Sequence, residues 1–190
     1  TAIYVELLKK IMLPRDLIIY PKEISDIEVL VPEERKKVIK EELEEMREQY
    51  CALNRLFFDK SYPKGALIEK YTAFINLNPK YYAAYRDRAI LYTHIGKYRE
   101  AVADNQLLIT HNERVWSDAI INKAEALFFL KDYDEALKVA NHYFAICEKP
   151  TAECYRIRAE IFRKLKMSYE YKADMRESKR LRKEEKNRIW

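Results

Sequence analysis

Apolar and small side chains recur along the chain with a period of 35 residues. Ala89, Ala124 and Ala159 are 35 residues apart in the sequence. Three residues after each alanine comes a large apolar side chain, and these are Tyr92, Leu127 and Phe162. Tyr98 and Tyr133 keep the same interval. A constant period of roughly 20 to 50 residues is typical of proteins built from stacked repeats.

Within one period, the apolar positions predict two helices joined by a short turn. Tyr85, Ala89 and Tyr92 are spaced by four and three residues, which places them on one face of a helix. Gly96-Lys97 follows, and glycine favours the left-handed conformation that ends many helices. Asn78-Pro79 supplies a cap and a first-turn proline before this helix. The pattern predicts four helical hairpins, at about residues 46–81, 82–116, 117–151 and 152–175.

The second hairpin resembles the tetratricopeptide repeat (TPR). Its order is Asn78-Pro79, then Tyr85, Ala89 and Tyr92, then Gly-Lys-Tyr-Arg-Glu-Ala at 96–101. The resemblance extends over roughly residues 46 to 175 and implies an all-α, right-handed α-α superhelix, or solenoid. The period is longer than the family's 34 residues, and Ser168 and Tyr171 replace the expected tyrosine and alanine. Terminal repeats are often atypical because they cap the array.

Different patterns precede and follow the repeats. Pro32-Glu-Glu begins a predicted long helix, whose apolar seam is Ile39, Leu43, Met46, Tyr50, Leu53 and Phe57. The seam predicts packing on the first hairpin, and the alternative is a dimer contact between two chains. The TPR-like array with its long first helix is expected over residues 33–175. Residues 1–32 predict a partly extended N-terminal extension, and residues 176–190 a basic tail that prolongs the last helix.

The composition agrees with an all-α chain. Of 190 residues only two are glycine, and 48% are hydrophobic. No apolar run approaches the roughly 18 residues of a transmembrane helix, and the first residues do not form a signal peptide. The three cysteines lack CxxC spacing and favour a reducing compartment, so a cytoplasmic location is expected. Because the chain lacks an initiator methionine, we expect it to be a piece of a longer protein.

The resemblance implies a binding site rather than a catalytic one. In this family the first helices of successive hairpins line a concave groove, which suits a peptide or a helix of another protein. At the corresponding positions this chain has Tyr50, Asn54, Phe57, Arg86, Asp87, Ile90, His94, Asn122, Glu125, Phe129, Arg156, Glu160 and Arg163. The predicted function is that of a non-enzymatic scaffold or adaptor, such as an assembly factor or a co-chaperone-like adaptor. No cofactor and no metal are predicted, because the three histidines lack metal-ligand spacing.

One subclass of the family holds the C-terminal carboxylate of heat-shock chaperones with lysine, arginine and asparagine side chains. The corresponding positions here are Tyr50, Asn54, Asp87, Asp118 and Asn122. Only Asn54 keeps the required residue, and the two aspartates would repel a carboxylate. Moving the pattern by one hairpin places an acid, Glu153, at a lysine position. Binding of chaperone tails is therefore disfavoured.

The net charge of +5 is concentrated at the C-terminus. Residues 176–190 contain seven Lys or Arg against three Glu, and the rest of the chain is nearly neutral. Six of these seven are the candidate binding side chains of the tail: Lys179, Arg180, Arg182, Lys183, Lys186 and Arg188. They give an alternative function, the binding of nucleic acid or of an acidic partner, and oligomerisation through the apolar seam gives another. An aromatic platform for nucleic-acid bases would need basic neighbours on the same face.

Overall fold

The computed structural model describes residues 33–112 and 115–188, apart from the side chains of 33–37, 39 and 188. Every regular element in these residues is an α-helix, so the all-α prediction is confirmed for this part of the chain. The helices are α1 Glu33–Phe58, α2 Lys64–Leu77, α3 Tyr82–His94, α4 Tyr98–Asn112, α5 Ser117–Phe129, α6 Tyr133–Ile146, α7 Ala152–Lys164 and α8 Ser168–Arg188. None of them is both long and apolar enough to cross a membrane. The predicted N-terminal extension, residues 1–32, lies outside the described residues.

The chain divides into two compact units inside α3, where the first unit ends at Tyr85 and the second begins at Arg86. In the first unit, α1 packs against α2. The ring of Tyr50 on α1 lies 4.6 Å from the ring of Tyr81 and 6.1 Å from that of Phe74. An aromatic cluster therefore joins α1, α2 and the turn before α3.

Most of the apolar seam of α1 is buried. Leu43, Met46, Tyr50 and Leu53 are buried in the single chain. Phe57 is half-buried, and the side chain of the sixth seam residue, at position 39, lies outside the described side chains. Four seam residues are already covered within one chain, which leaves little of the seam for a second chain.

Three turns of the second unit have the same hydrogen bonds, 35 residues apart. They follow α3, α5 and α7, and each contains a residue with positive φ: Gly96 at 79°, Lys131 at 66° and Lys166 at 60°. The next residue donates its N–H to a carbonyl five positions earlier, with Lys97–Tyr92 at 2.9 Å, Asp132–Leu127 at 3.1 Å and Met167–Phe162 at 2.9 Å. This is the Schellman arrangement, which ends a helix with one left-handed residue. Glycine adopts that conformation without strain, yet two of the three positions hold lysine.

Small residues let the helices of the second unit approach closely. Ala89 and Ala101 are almost completely buried, as are Ala124, Ala136 and Ala159. The helix α5 packs against α4 and α6, and α7 packs against α5, α6 and α8. The alanine period of the sequence therefore marks the positions where helix backbones come close together.

Buried ion pairs between helices also recur. Arg88 on α3 donates two hydrogen bonds to Asp104 on α4, both at 2.8 Å. Arg158 on α7, 70 residues later, bonds Asp174 on α8 in the same two-pronged way, at 2.7 and 2.9 Å. Burial raises the pKa of Asp104 above its ordinary value, although Arg88 opposes the shift. The same kind of ion pair therefore joins α3 to α4 in one hairpin and α7 to α8 in another.

Candidate partner-binding face

The first helices of the hairpins in the second unit are α3, α5 and α7, and each carries a row of predicted side chains. The rows are Arg86, Ile90 and His94 on α3, Asn122, Glu125 and Phe129 on α5, and Arg156, Glu160 and Arg163 on α7. Steps of three and four residues keep each row on one side of its helix. These nine residues are called the partner face, and all of them are half-buried or exposed. Asp87, which was also predicted, is only 3% exposed.

Arg156 is the centre of an ion-pair chain that joins three helices. Its guanidinium donates to Glu153 at 2.5 Å and to Glu125 on α5 at 3.4 Å. Arg182 on α8 bonds the other oxygen of Glu153 at 3.2 Å. Burial raises the pKa of Glu125, whereas the hydrogen bond from Arg156 lowers the pKa of Glu153. The Arg156 cation is therefore shared between two carboxylates of its own chain.

The other arginines of the partner face are paired as well. Arg86 donates to Asp87 at 3.0 and 3.1 Å, and its guanidinium lies 6.0 Å from the centroid of the Trp116 ring. Arg163 bonds Glu160 at 2.6 Å. Because each arginine is matched by a carboxylate, a bound carboxylate would have to displace an existing partner. The arrangement is poorly suited to an acidic ligand.

Two side chains of α5, Asn122 and Phe129, are not part of any ion pair of the partner face. Asn122 is half-buried, and its amide has no hydrogen-bond partner in the part of the chain that the structure describes. Phe129 stacks on Tyr98, with centroids 4.8 Å apart and planes 12° apart, and is still 43% exposed. The face therefore presents one uncommitted amide, which both donates and accepts, and one aromatic surface.

Three further predicted groove residues, Tyr50, Asn54 and Phe57, lie on α1 in the first unit. Tyr50 belongs to the aromatic core of the first unit, where burial gives its ring a packing role. Asn54 is half-buried on α1, and Phe57 meets Phe58 edge-on at 5.4 Å. His94 is exposed at the end of α3. The partner face of the second unit does not include the three α1 residues.

The basic tail is the C-terminal part of α8, and its charges are not equivalent. Arg180 bonds Glu184 at 2.5 Å and also bonds Glu177, while Arg182 bonds Glu153. The remaining described side chains of the predicted tail are exposed, and these are Lys179, Lys183 and Lys186. The side chain of Arg188 lies outside the described residues. Two of the predicted cations are thus neutralised within the chain.

Sequence reasoning missed Glu153 and Trp116 as neighbours of the predicted arginines. Glu153 follows Thr151, whose hydroxyl accepts from the backbone of Cys154 and caps α7. Acids are common in the first turn of a helix, so this acid could have been noted as a neighbour of Arg156 three residues on. No comparable pattern in the sequence places Trp116 near Arg86.

In the described residues, no group of three His, Cys, Asp or Glu side chains is arranged to hold a metal ion. No protein-family model fits the sequence, and no curated protein is significantly similar to it. Function therefore has to be inferred from the residues of this chain.

Proposed function

We propose that this chain is a TPR-type helical-repeat scaffold that binds a segment of another protein on its partner face and carries out no chemistry. Three Schellman turns spaced by 35 residues support the repeat architecture. The ion pairs Arg88–Asp104 and Arg158–Asp174 support it further, because the same contact returns after two periods. The three free cysteines suit a reducing compartment such as the cytoplasm.

The unpartnered amide of Asn122 is the observation that carries the binding proposal. Asparagine in the middle of a helix is less favourable than alanine by about 0.5 kcal/mol. A half-buried amide also loses part of its hydration, and no hydrogen bond within the described residues compensates for that loss. Asn122 therefore lowers the stability of the folded chain. A hydrogen bond from its amide to a partner protein would account for its presence, since residues needed for function often reduce stability.

The chemistry of the face favours a particular kind of ligand. An amide can pair with both the C=O and the N–H of a peptide backbone, as Asn122 would with an extended segment. Phe129 offers an aromatic surface for one apolar side chain of that segment. The paired arginines Arg86, Arg156 and Arg163 disfavour a terminal carboxylate. We expect an internal segment of mixed polarity with an aliphatic or aromatic anchor.

Site-specific photocross-linking tests the location of this site. p-Benzoylphenylalanine is placed at position 129 in one protein, where it keeps an aromatic ring and leaves the Asn122 amide in place, and at position 138 in a control. Lys138 is exposed on α6, a second helix of its hairpin. In extracts of the cells that make the protein, position 129 should cross-link to one discrete segment of a partner, identified by mass spectrometry. Equal cross-linking from both positions, or none from position 129, would contradict the proposal.

A further inference from the structure

Five cations form a straight row along α8. Lys172, Arg176, Lys179, Lys183 and Lys186 are spaced by four, three, four and three residues, and all five are exposed. At 1.5 Å per residue the row is about 21 Å long. No carboxylate of the described residues forms an ion pair with any of them. This row is the cation stripe, and three of its members are among the six candidate side chains of the predicted basic tail.

The acids of α8 lie away from the stripe. At about 100° per residue, each carboxylate of this helix is about 120° or more from the centre of the stripe. These acids are Glu170, Asp174, Glu177, Glu184 and Glu185. Glu177 and Glu184 hold Arg180, which borders the stripe. The charges of the stripe are therefore not cancelled locally, and its positive potential extends outward.

The opposite side of α8 is packed against its own unit. Asp174 is buried in its ion pair with Arg158, and the hydroxyl of Ser178 donates to the carbonyl of Ala152 at 2.7 Å. Both side chains are buried. These contacts fix the rotation of α8 on α7, so the stripe points away from the second unit. The direction in which the stripe faces is therefore set by the packing of α8 on α7 and does not depend on the stripe's own side chains.

An exposed aromatic ring stands at one end of the stripe. Tyr169 is 82% exposed, three residues before Lys172 and seven before Arg176. Those spacings place its ring on the same side of α8 as the first two cations. A ring that is this exposed contributes little to packing. It provides a flat surface on which a nucleic-acid base can stack.

We propose that α8 binds single-stranded nucleic acid, with phosphates along the cation stripe and a base stacked on Tyr169. Cations recur every 5 Å or so along the helix, which gives several phosphate contacts in sequence. Binding of this kind draws its free energy from the release of counterions and needs no apolar anchor. This site is independent of the partner face, since the two share no residue.

Two other polyanions fit the stripe less well. A protein partner would need buried apolar or aromatic anchors, because exposed ion pairs alone contribute about 0–1 kcal/mol each. The five stripe residues include no apolar side chain, and the single exposed ring of Tyr169 is short of the cluster of anchors that a stable protein interface needs. A membrane-surface helix would insert an apolar face below its basic rim. In α8 the face opposite the stripe is occupied by contacts with α7.

Fluorescence anisotropy with the full chain tests the proposal. The probes are labelled 20-nucleotide oligouridine and oligothymidine, with potassium chloride varied from 50 to 200 mM. Five phosphate contacts predict a slope of log K against log salt of about −3.5, or a roughly 100-fold loss over this range. Absence of binding at 50 mM overturns the proposal. So does equal affinity for polyglutamate, or binding only to vesicles containing phosphatidylserine.

Charge variants separate the stripe from the overall charge. Lys179→Gln with Lys183→Gln should reduce the salt slope by about 1.4 and weaken binding at 50 mM. The control is Lys97→Gln with Lys149→Gln, which removes the same charge from exposed positions outside α8. The control should keep the slope of the unmodified chain. Equal losses in both double variants would assign the binding to net charge and overturn the site.

The aromatic half of the proposal has its own test. Tyr169→Ala should weaken binding to the single strands by at least about fivefold, whereas Tyr169→Phe keeps a stacking ring and should bind normally. A 20-base-pair duplex is the comparison ligand, because its bases are already stacked. Affinity unchanged in Tyr169→Ala, or reduced equally for the duplex, would overturn the stacking assignment.

Discussion

Replacing Gly96 with alanine should lower the free energy of unfolding by about 1 kcal/mol. Gly96 has φ of 79°, and a left-handed conformation costs an L-residue about 1–2 kcal/mol. Alanine also restricts the unfolded chain, which recovers about 0.4–1 kcal/mol. A Cβ at this position would meet no atom within 4 Å. The change therefore isolates the backbone conformation from any steric clash.

The same reasoning predicts the opposite sign at the two equivalent turns. Lys131 and Lys166 have φ of 66° and 60° and are exposed. Glycine at either position should raise the free energy of unfolding by about 0.5–1 kcal/mol, because the left-handed strain is removed and no side-chain contact is lost. The gain is smaller than the strain itself because glycine also loosens the unfolded chain.

Urea unfolding followed by circular dichroism measures these differences, with all variants fitted to a common m-value. Gly65→Ala is the matched control. Gly65 lies in the first turn of α2, without a positive φ and with open space around its Cβ position. The identical chemical change should stabilise there by about 0.4–1 kcal/mol. The account of the turns would be refuted if Gly96→Ala were as stable as the unmodified protein.

Two further predictions concern charged groups of the second unit. Arg158→Met should lower the free energy of unfolding by about 3–5 kcal/mol in urea titrations, since Asp174 is left buried and unpaired, and adding Asp174→Leu should restore most of it. The exposed Arg180→Met is the control and should leave the midpoint unchanged; equal effects of Arg158→Met and Arg180→Met would contradict the buried-pair interpretation. For Glu125, whose native pKa is raised above the ordinary 4.5, the native state holds the proton more tightly than the unfolded state. Relative to Glu125→Gln, the unmodified protein should therefore lose stability as the pH rises from below 4.5 through the native pKa, and a relative gain would contradict the sign.

Much of the helical architecture could be read from small residues and turn residues. The 35-residue alanine spacing marks close helix contacts because only small side chains fit there. Only one of the three Schellman turns carries glycine, so the two lysine turns lacked the local indication. In those turns the backbone hydrogen bonds and the next helix impose the left-handed residue. The rule that glycine marks the end of a helix does not predict such turns, because it ignores contacts with the next helix.

The candidate site was harder to predict because its pairings cross between helices. Arg156 meets Glu125 from a position 31 residues away, and Arg182 meets Glu153 from 29 residues away. Tyr50 was predicted both as a groove residue and as a member of the apolar seam of α1. Its burial in the aromatic core favours the seam. A count of charges in the tail also does not show which cations form ion pairs, as Arg180 and Arg182 do, and which are exposed to solvent, as the lysines are. That difference depends on how α8 is rotated on its neighbours.

Calorimetric titration of the segment cross-linked at position 129 tests the partner face most directly. A synthetic peptide of that segment is titrated into the unmodified chain, Asn122→Ala and the control Lys138→Ala. Loss of both amide hydrogen bonds should weaken binding by about 5- to 150-fold in Asn122→Ala, while its melting temperature stays equal or rises. Lys138→Ala should bind like the unmodified chain. Equal dissociation constants for all three proteins would contradict the assignment of Asn122 to a partner-binding face.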